Sequence, residues 1–398
     1  MRPFKLTVIL VLLQLSLSSC SQQTELRLIH SDQVITGAQN TQTFLPLLEN
    51  KKVAVVANHA SLIGQTHLVD SLQNLGVKLV KIFSPEHGFR GKADAGEKID
   101  NNVDRKTQLP VISLYGNHKK PTAKDLSGIE IIVFDLQDVG VRFYTYISTL
   151  TYVMEACAEN NIPLIVLDRP NPNGFYVDGP VLEPAFKSFV GLHPVPVVYG
   201  MTIGEYAKML NGEGWLEDKQ FCDLTVVALK DYTHNMIVEL PEKPSPNLPN
   251  WEAIYLYPSL CFFEGTIMSI GRGTDFPFQV YGHPIFVIGS FAFTPESNEG
   301  SKYPKYEGEH CYGSSVIGYA DNYKNNPKQL TLFYLINSYK IMKTKGDVFF
   351  NDYFEKLAGT DNLRKQIEAG MTEEQIREGW QEGLNDFKEI RAKYLIYN

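Results

Sequence analysis

Three apolar runs in this chain each stop abruptly at a dense cluster of polar residues. Residues 77–83 run into Ser84-Pro-Glu-His-Gly-Phe-Arg-Gly91, residues 129–134 into Asp135-Leu-Gln-Asp-Val-Gly-Val-Arg142, and residues 163–167 into Asp168-Arg-Pro-Asn-Pro-Asn-Gly174. Short runs rich in Val and Ile read as strands buried on both faces, which is the pattern of a parallel sheet. In open α/β sheets the ligand crevice lies just beyond the carboxyl ends of the strands. The pattern therefore gathers Glu86, His87, Arg90, Asp135, Asp138, Arg142, Asp168 and Arg169 around one crevice.

The rest of the chain extends this grammar. Residues 52–57 form a further candidate strand that ends in Asn58-His59, which adds both residues to the candidate site. Residues 66–75 carry Leu68, Val69, Leu72 and Leu75 at helical spacing, and the clearest helix spans residues 146–160. Strands alternating with helices imply right-handed crossovers and a doubly wound parallel sheet over residues 24–200. The texture changes near Gly200. Thr202 and Glu205 have capping-box spacing, residues 223–229 read as a strand, and residues 240–249 carry four prolines, which exclude a regular helix or a central strand. Helices follow from residue 327 and over residues 373–394. Residues 201–398 are therefore expected to form a second, smaller α+β domain. With 43% hydrophobic residues the chain has ample material for a packed core.

Residues 1–19 read as a leader: Arg2 and Lys5, then a mostly apolar stretch too short to span a bilayer. The leader closes on Leu17-Ser-Ser-Cys20, similar to a bacterial lipobox in which Cys20 becomes the lipidated first residue of an exported, membrane-anchored protein. Losing Arg2 and Lys5 takes the net charge from −8 to −10. Such a chain has no general field to hold nucleic acid or to attract anionic substrates, so an anionic ligand needs specific cationic side chains. The remaining cysteines, Cys157, Cys222, Cys261 and Cys311, lack C-x-x-C spacing; Cys157 and Cys261 read as buried free thiols.

The polar clusters hold the chemistry. Pro85 stiffens the turn that presents Glu86, and a carboxyl in a partly apolar cleft suits a general acid; a pairing with Arg90 is the alternative. Asp135 should be the more buried of its pair and Asp138 the more available. Paired carboxylates serve glycoside hydrolysis, though these two could equally cap a helix or fix Arg142. Asn171 and Asn173 sit on a rigid loop, where Asn is also an ordinary turn residue. Later in the chain, Glu264 follows Cys261-Phe-Phe263, and Arg272 and Asp275 lie in Gly-Arg-Gly-Thr-Asp275; Glu264 reads either as a perturbed carboxyl in apolar surroundings or as the ion-pair partner of Arg272. There is no G-x-S-x-G elbow, Walker A loop or H-E-x-x-H helix, and the histidines are too scattered to suggest a metal site. No cofactor is expected.

These same motifs, together with Phe143-Tyr-Thr-Tyr146, Phe263-Glu-Gly-Thr266, Gly271-Arg-Gly-Thr-Asp-Phe-Pro-Phe278 and Gly308-Glu-His-Cys-Tyr-Gly313, resemble the NamZ-type exo-β-N-acetylmuramidases, a family formerly catalogued as a bacterial domain of unknown function. The similarity runs in order from about residue 26 to the C-terminus. It implies a Rossmann-like domain with a smaller C-terminal domain and a cleft site between them. It also implies removal of N-acetylmuramic acid from the non-reducing ends of peptidoglycan fragments during cell-wall turnover and recycling. By motif match Glu86 is the catalytic carboxylate. Asp138 is taken as the second carboxylate, acting on a water or polarising the substrate's own acetamido group. Arg142, Arg90 and Arg272 are candidates for the lactyl carboxylate, and Tyr144 and Tyr146 for the sugar ring. Two rival readings are a lipid-anchored protein that binds muropeptides without cleaving them, and a metal-dependent amidase or deacetylase.

Overall fold

Six strands lie side by side and parallel at the centre of the computed structural model, which describes residues 26–86, 88–90, 102–286, 288–346 and 348–398. In chain order we name β1 (Val53–Ala57), β2 (Leu79–Ser84), β3 (Asn102–Val103), β4 (Pro110–Ser113), β5 (Ile131–Asp135), β6 (Leu164–Leu167) and β7 (Leu224–Val227). Their spatial order is β7-β6-β5-β1-β2-β4-β3, and only the two-residue edge strand β3 is antiparallel. The chain thus starts at the middle, builds outward through β2 and β4, then returns to build through β5, β6 and β7. The switch point lies between β1 and β5, which pair in unbroken register from Val53↔Ile131 to Ala57↔Asp135.

Alternation along each strand sends side chains to opposite faces. Val53, Val55, Ile131 and Val133 face one core with Phe44 and with Leu68 and Leu72 of helix α1 (Leu68–Asn74). Ala54, Val56, Ile132 and Phe134 face the other, with Leu150 and Met154 of α2 (Tyr146–Glu159) and Ala207 of α3 (Ile203–Gly212). Helices on both faces make the sheet doubly wound, as the alternating pattern implied. The helix expected over 66–75 starts two residues late because the His67 ring accepts from the Val69 amide and caps it.

The sheet does not end at residue 200. Strand β7 lies beside β6 in register Leu224↔Leu164, and α3 packs over both strands. The change of texture near Gly200 marks a capped helix, not the edge of the sheet: Thr202 and Glu205 form the expected capping box. Beyond it come α4 (Trp251–Leu260), a small antiparallel sheet of β8 (Val280–His283), β9 (Phe291–Phe293) and β10 (Cys311–Ser315), and further helices that include α5 (Phe354–Ala358). The long C-terminal helix expected over 373–394 is two helices, Glu373–Glu378 and Gln381–Ala392. Cys157, Cys222, Cys261 and Cys311 are all buried and free.

One apolar core runs without a break from Val56 and Phe134 of the sheet to Phe262, Leu335 and Phe354 of the C-terminal part. Arg142 stitches the same seam. Its guanidinium is fully buried and donates to four carbonyl oxygens: Pro180 at 2.8 Å, Val195 at 2.7 Å, Leu357 at 3.0 Å and Ala358 at 2.6 Å. The last two belong to the C-terminal end of α5, where helical carbonyls lack intrahelical partners and attract a cation. Gly359 follows with φ +74°, and a Cβ there would stand 2.6 Å from an Arg142 nitrogen, so the close approach needs glycine. Arg142 is therefore not a clamp for a substrate carboxylate. Replacing it with Met strands these buried acceptors, and the loss should be about 3 kcal/mol or more. Urea unfolding of Arg142→Met checks this; an unchanged midpoint contradicts it.

Candidate active site

Beyond the carboxyl ends of β2, β4 and β5 lies a cavity of about 380 Å³. Its inner wall carries Glu86 from the loop after β2, Tyr115 from the loop after β4, and Phe143, Tyr144, Thr145 and Tyr146 from the segment that leads into α2. The facing wall comes from the C-terminal half: Ser245, Asn247, Tyr257, Glu264, Arg272, Tyr353 and Lys356 among others. Aromatic surfaces with a few polar groups between them are the usual lining of a small-molecule site.

Glu86 is half-buried in this wall. The Thr145 hydroxyl donates to its Oε2 at 3.2 Å. Beside it, the Tyr144 and Tyr146 rings meet edge to face at 4.8 Å. The Tyr144 hydroxyl donates to the Pro244 carbonyl at 2.8 Å, and the Tyr146 hydroxyl accepts from Asn58 Nδ2 at 2.7 Å. Burial, and then the nearby Glu86 carboxylate, push the Tyr146 phenol up, so it stays a neutral hydroxyl. Asn58 itself is fully buried behind Tyr146 and orients it.

On the facing wall Glu264 and Arg272 form the ion pair that the sequence allowed, Nε to Oε1 at 2.6 Å, with the guanidinium 5.0 Å over the Phe278 ring. Gly271 and Gly273, at φ +77° and +79°, bend the chain on either side of Arg272, a conformation L side chains rarely adopt. Both partners line the cavity. Asp275, three residues beyond Arg272, is exposed and lies off it.

Several expected site residues instead build the frame. Asp135 and Arg169 form a buried two-pronged ion pair, with contacts of 2.6 and 2.8 Å, at the end of β5. Asp168 accepts from the Gly204 amide at 2.8 Å, the Thr202 hydroxyl at 2.8 Å and the Tyr397 hydroxyl at 2.6 Å, so it caps α3 and ties down the C-terminus. Asn171 accepts from the Asn173 amide and donates to the Met201 carbonyl, while Asn173 donates to the carbonyls of Val139 and Ile254. Arg90 is spent on Asp104 at 2.9 Å and Asp70 at 3.2 Å, and its grip holds the Asp104 carboxyl well below the usual carboxylate range. His59 bonds the Lys243 carbonyl at 2.8 Å. His87 and Cys20 lie outside the described residues.

Asp138 departs furthest from expectation. It does not line the cavity; it is fully enclosed behind it. Its Oδ2 accepts from the Tyr199 hydroxyl and, at 2.7 Å, from the Gly140 amide, while Oδ1 has no partner among the described residues. Burial pushes its carboxyl up to about 6. A buried, half-satisfied carboxyl cannot deliver a water to a sugar in a cavity it does not reach.

Sequence reasoning missed Thr145, although it stands between the two tyrosines it did single out. It marked the proline-rich passage as irregular but not as part of the site; the Lys243 and Pro244 carbonyls there receive His59 and Tyr144 and so fasten Ser245 and Asn247 over the cavity. Tyr353 and Lys356 carry no sequence signal at all.

Both walls belong to one family pattern. The N-terminal domain model of the exo-β-N-acetylmuramidase NamZ matches residues 53–252, and the C-terminal domain model of the same family matches residues 255–397. The chain belongs to the NamZ family. The division at 252–255 leaves all seven sheet strands in the first part. The chain is 38% identical over 383 residues to the peptidoglycan β-N-acetylmuramidase NamZ of Bacillus subtilis (strain 168), a match that covers 88% of each. Two DUF1343 family proteins of known crystal structure from Bacteroides fragilis NCTC 9343 share its fold. One is 46% identical with a TM-score of 0.85, the other 29% identical with a TM-score of 0.80; each match covers 92% of this chain and 99% of the other. This member of the NamZ family thus has the Rossmann-like sheet, the smaller C-terminal part and the cavity between them.

The raised Asp138 carboxyl has a consequence for stability. Its native state takes up a proton at higher pH than the unfolded chain does, so this group favours the native state as pH falls from about 7 to about 4. Asp138→Asn removes that term. The stability of the wild type relative to Asp138→Asn should therefore rise over this window; thermal melts that run parallel from pH 7 to 4 contradict the assignment.

Proposed function

We propose that this chain is an exo-acting glycoside hydrolase that releases N-acetylmuramic acid from the non-reducing ends of peptidoglycan fragments, with Glu86 as the general acid. The observation that carries the assignment of Glu86 is its place: a half-buried carboxyl on the wall of a cavity sized for one terminal sugar, with one oxygen held by a hydroxyl donor. Membership of the NamZ family supports the activity.

The geometry suits proton donation. In the neutral acid, Oε2 acts as the carbonyl oxygen and accepts from Thr145, which leaves the O–H on Oε1. That proton passes to the glycosidic oxygen as the bond to the anomeric carbon breaks; a water oxygen ends on that carbon, and the proton the water loses restores the neutral acid. The aromatic walls exclude water and give the sugar faces to lie against. The closed inner wall formed by residues 143–146 favours a chain end over a mid-chain sugar. The leader and Cys20 support an exported, lipid-anchored placement, which would bring the enzyme to its polymer.

Replacing Glu86 with Gln tests the assignment. Release of the terminal sugar from a chromogenic β-muramide should fall by about 10²–10⁴-fold, the usual contribution of a positioned general acid. Circular dichroism should show an unchanged fold. A Glu86→Gln enzyme that keeps most of its rate removes Glu86 from the mechanism. A wild type that binds muropeptides and leaves them intact favours capture over cleavage.

A further inference from the structure

The substrate read above carries a lactyl carboxylate, and the chain that must bind it is acidic. Each arginine that the sequence offered for this task is already engaged. Arg142 is buried on four carbonyls, Arg90 is held by Asp104 and Asp70, and Arg272 is paired with Glu264. A second cation does line the cavity: Lys356, on the wall that faces Glu86. Among the described residues no carboxylate forms an ion pair with it. Lys356 also borders an outer groove, but the acidic residues there are occupied or apart: Glu355 pairs with Arg364 at 3.0 Å, Asp361 pairs with Lys365 at 2.6 Å, and Asp352 makes no ion pair with Lys356.

We infer that Lys356 is the residue that recognises the lactyl carboxylate, and so sets the preference for muramic acid over glucosamine at the cavity. The proposal rests on the function given above and adds the group that distinguishes the two sugars. The cavity wall already balances Glu264 against Arg272. With Glu86 protonated, as an acid catalyst must be, Lys356 is the one charge on the wall left uncompensated among the described residues, and one bound carboxylate neutralises it. An ammonium on a flexible stem at the mouth of a cavity suits a carboxylate that itself sits on a short ether arm. Position is not left to chance: Lys356 lies on α5, whose last carbonyls are gripped by Arg142 and whose Phe354 and Leu357 are buried in the common core. Arg142 is thus a positioning residue for this wall.

The test uses the full chain with Lys356→Met and Lys356→Arg. Binding of N-acetylmuramic acid and of its methyl ester is measured by calorimetry, together with hydrolysis of a chromogenic muramide. Wild type should bind the acid more tightly than the ester. Lys356→Met should lose about tenfold or more of its affinity for the acid and little for the ester, the size expected of one charged hydrogen bond. Lys356→Arg should restore most of the loss. The kinetic defect should fall mainly on KM, with kcat largely kept, because Lys356 does not touch the reacting bond. Equal affinity of wild type for acid and ester, or a Lys356→Met variant that still prefers the acid, overturns the inference. So does a loss that falls equally on both ligands, which reports a structural effect. A wild type that shows Lys356-dependent preference for the acid yet leaves the muramide intact keeps this inference and rejects the hydrolase reading instead.

Discussion

A guanidinium with no carboxylate partner among the described residues holds the two parts of this molecule together. Arg142 reaches from the loop beyond β5 to carbonyls at residues 180, 195, 357 and 358. Burial drives its pKa down to about 9, so the charge is kept in place only by the dipoles around it. The cavity depends on that anchor. Phe143, Tyr144, Thr145 and Tyr146 follow Arg142 directly on one wall, and Tyr353, Lys356 and Leu357 lie around its acceptors on the other. One buried side chain thus sets the spacing of both walls, and the continuous apolar core beneath them resists shear.

The loops at the strand ends divide into two ranks. The residues nearest the strands, Asp135, Arg169, Asp168, Asn171 and Asn173, spend their hydrogen bonds on one another, on backbone groups and, for Asp168, on the Thr202 and Tyr397 hydroxyls. A second rank one step further out, Glu86, Tyr144, Thr145 and Tyr146, faces the hollow. Groups outside that first rank fix the second: Asn58 orients Tyr146, and the Pro244 carbonyl of the proline-rich cover holds Tyr144. Two carboxylates of opposite circumstance face the cavity. Glu86 meets a neutral hydroxyl, while Glu264 is locked to a guanidinium.

The parallel sheet was legible because strands buried on both faces leave an unmistakable apolar run, and because each run ends where the backbone meets its polar loop. The capping box at Thr202 was legible because its signal is local. Membership of the sheet by β7 was not, since a four-residue edge strand resembles any short apolar stretch. The site was half legible. Glu86 and the tyrosines were found because they sit in dense clusters. Asp138 and Arg142 were misplaced because the same clusters supply both a cavity wall and its scaffold, and the sequence marks residue type without marking which way the side chain turns. Partners at Tyr199 and Ala358 lie far along the chain, and nothing near residues 138 or 142 announces them. Lys356 was invisible for the same reason: its meaning comes from the absence of a local partner on a wall built by distant residues.

The account stands on Glu86 facing the bond that breaks. The most direct measurement is a crystal structure of Glu86→Gln soaked with a disaccharide that ends in N-acetylmuramic acid. The account requires the terminal ring inside the cavity and the glycosidic oxygen about 2.6–3.2 Å from the side chain at position 86. A disaccharide held elsewhere on the molecule, or seated in the cavity with that oxygen turned away from residue 86, contradicts it.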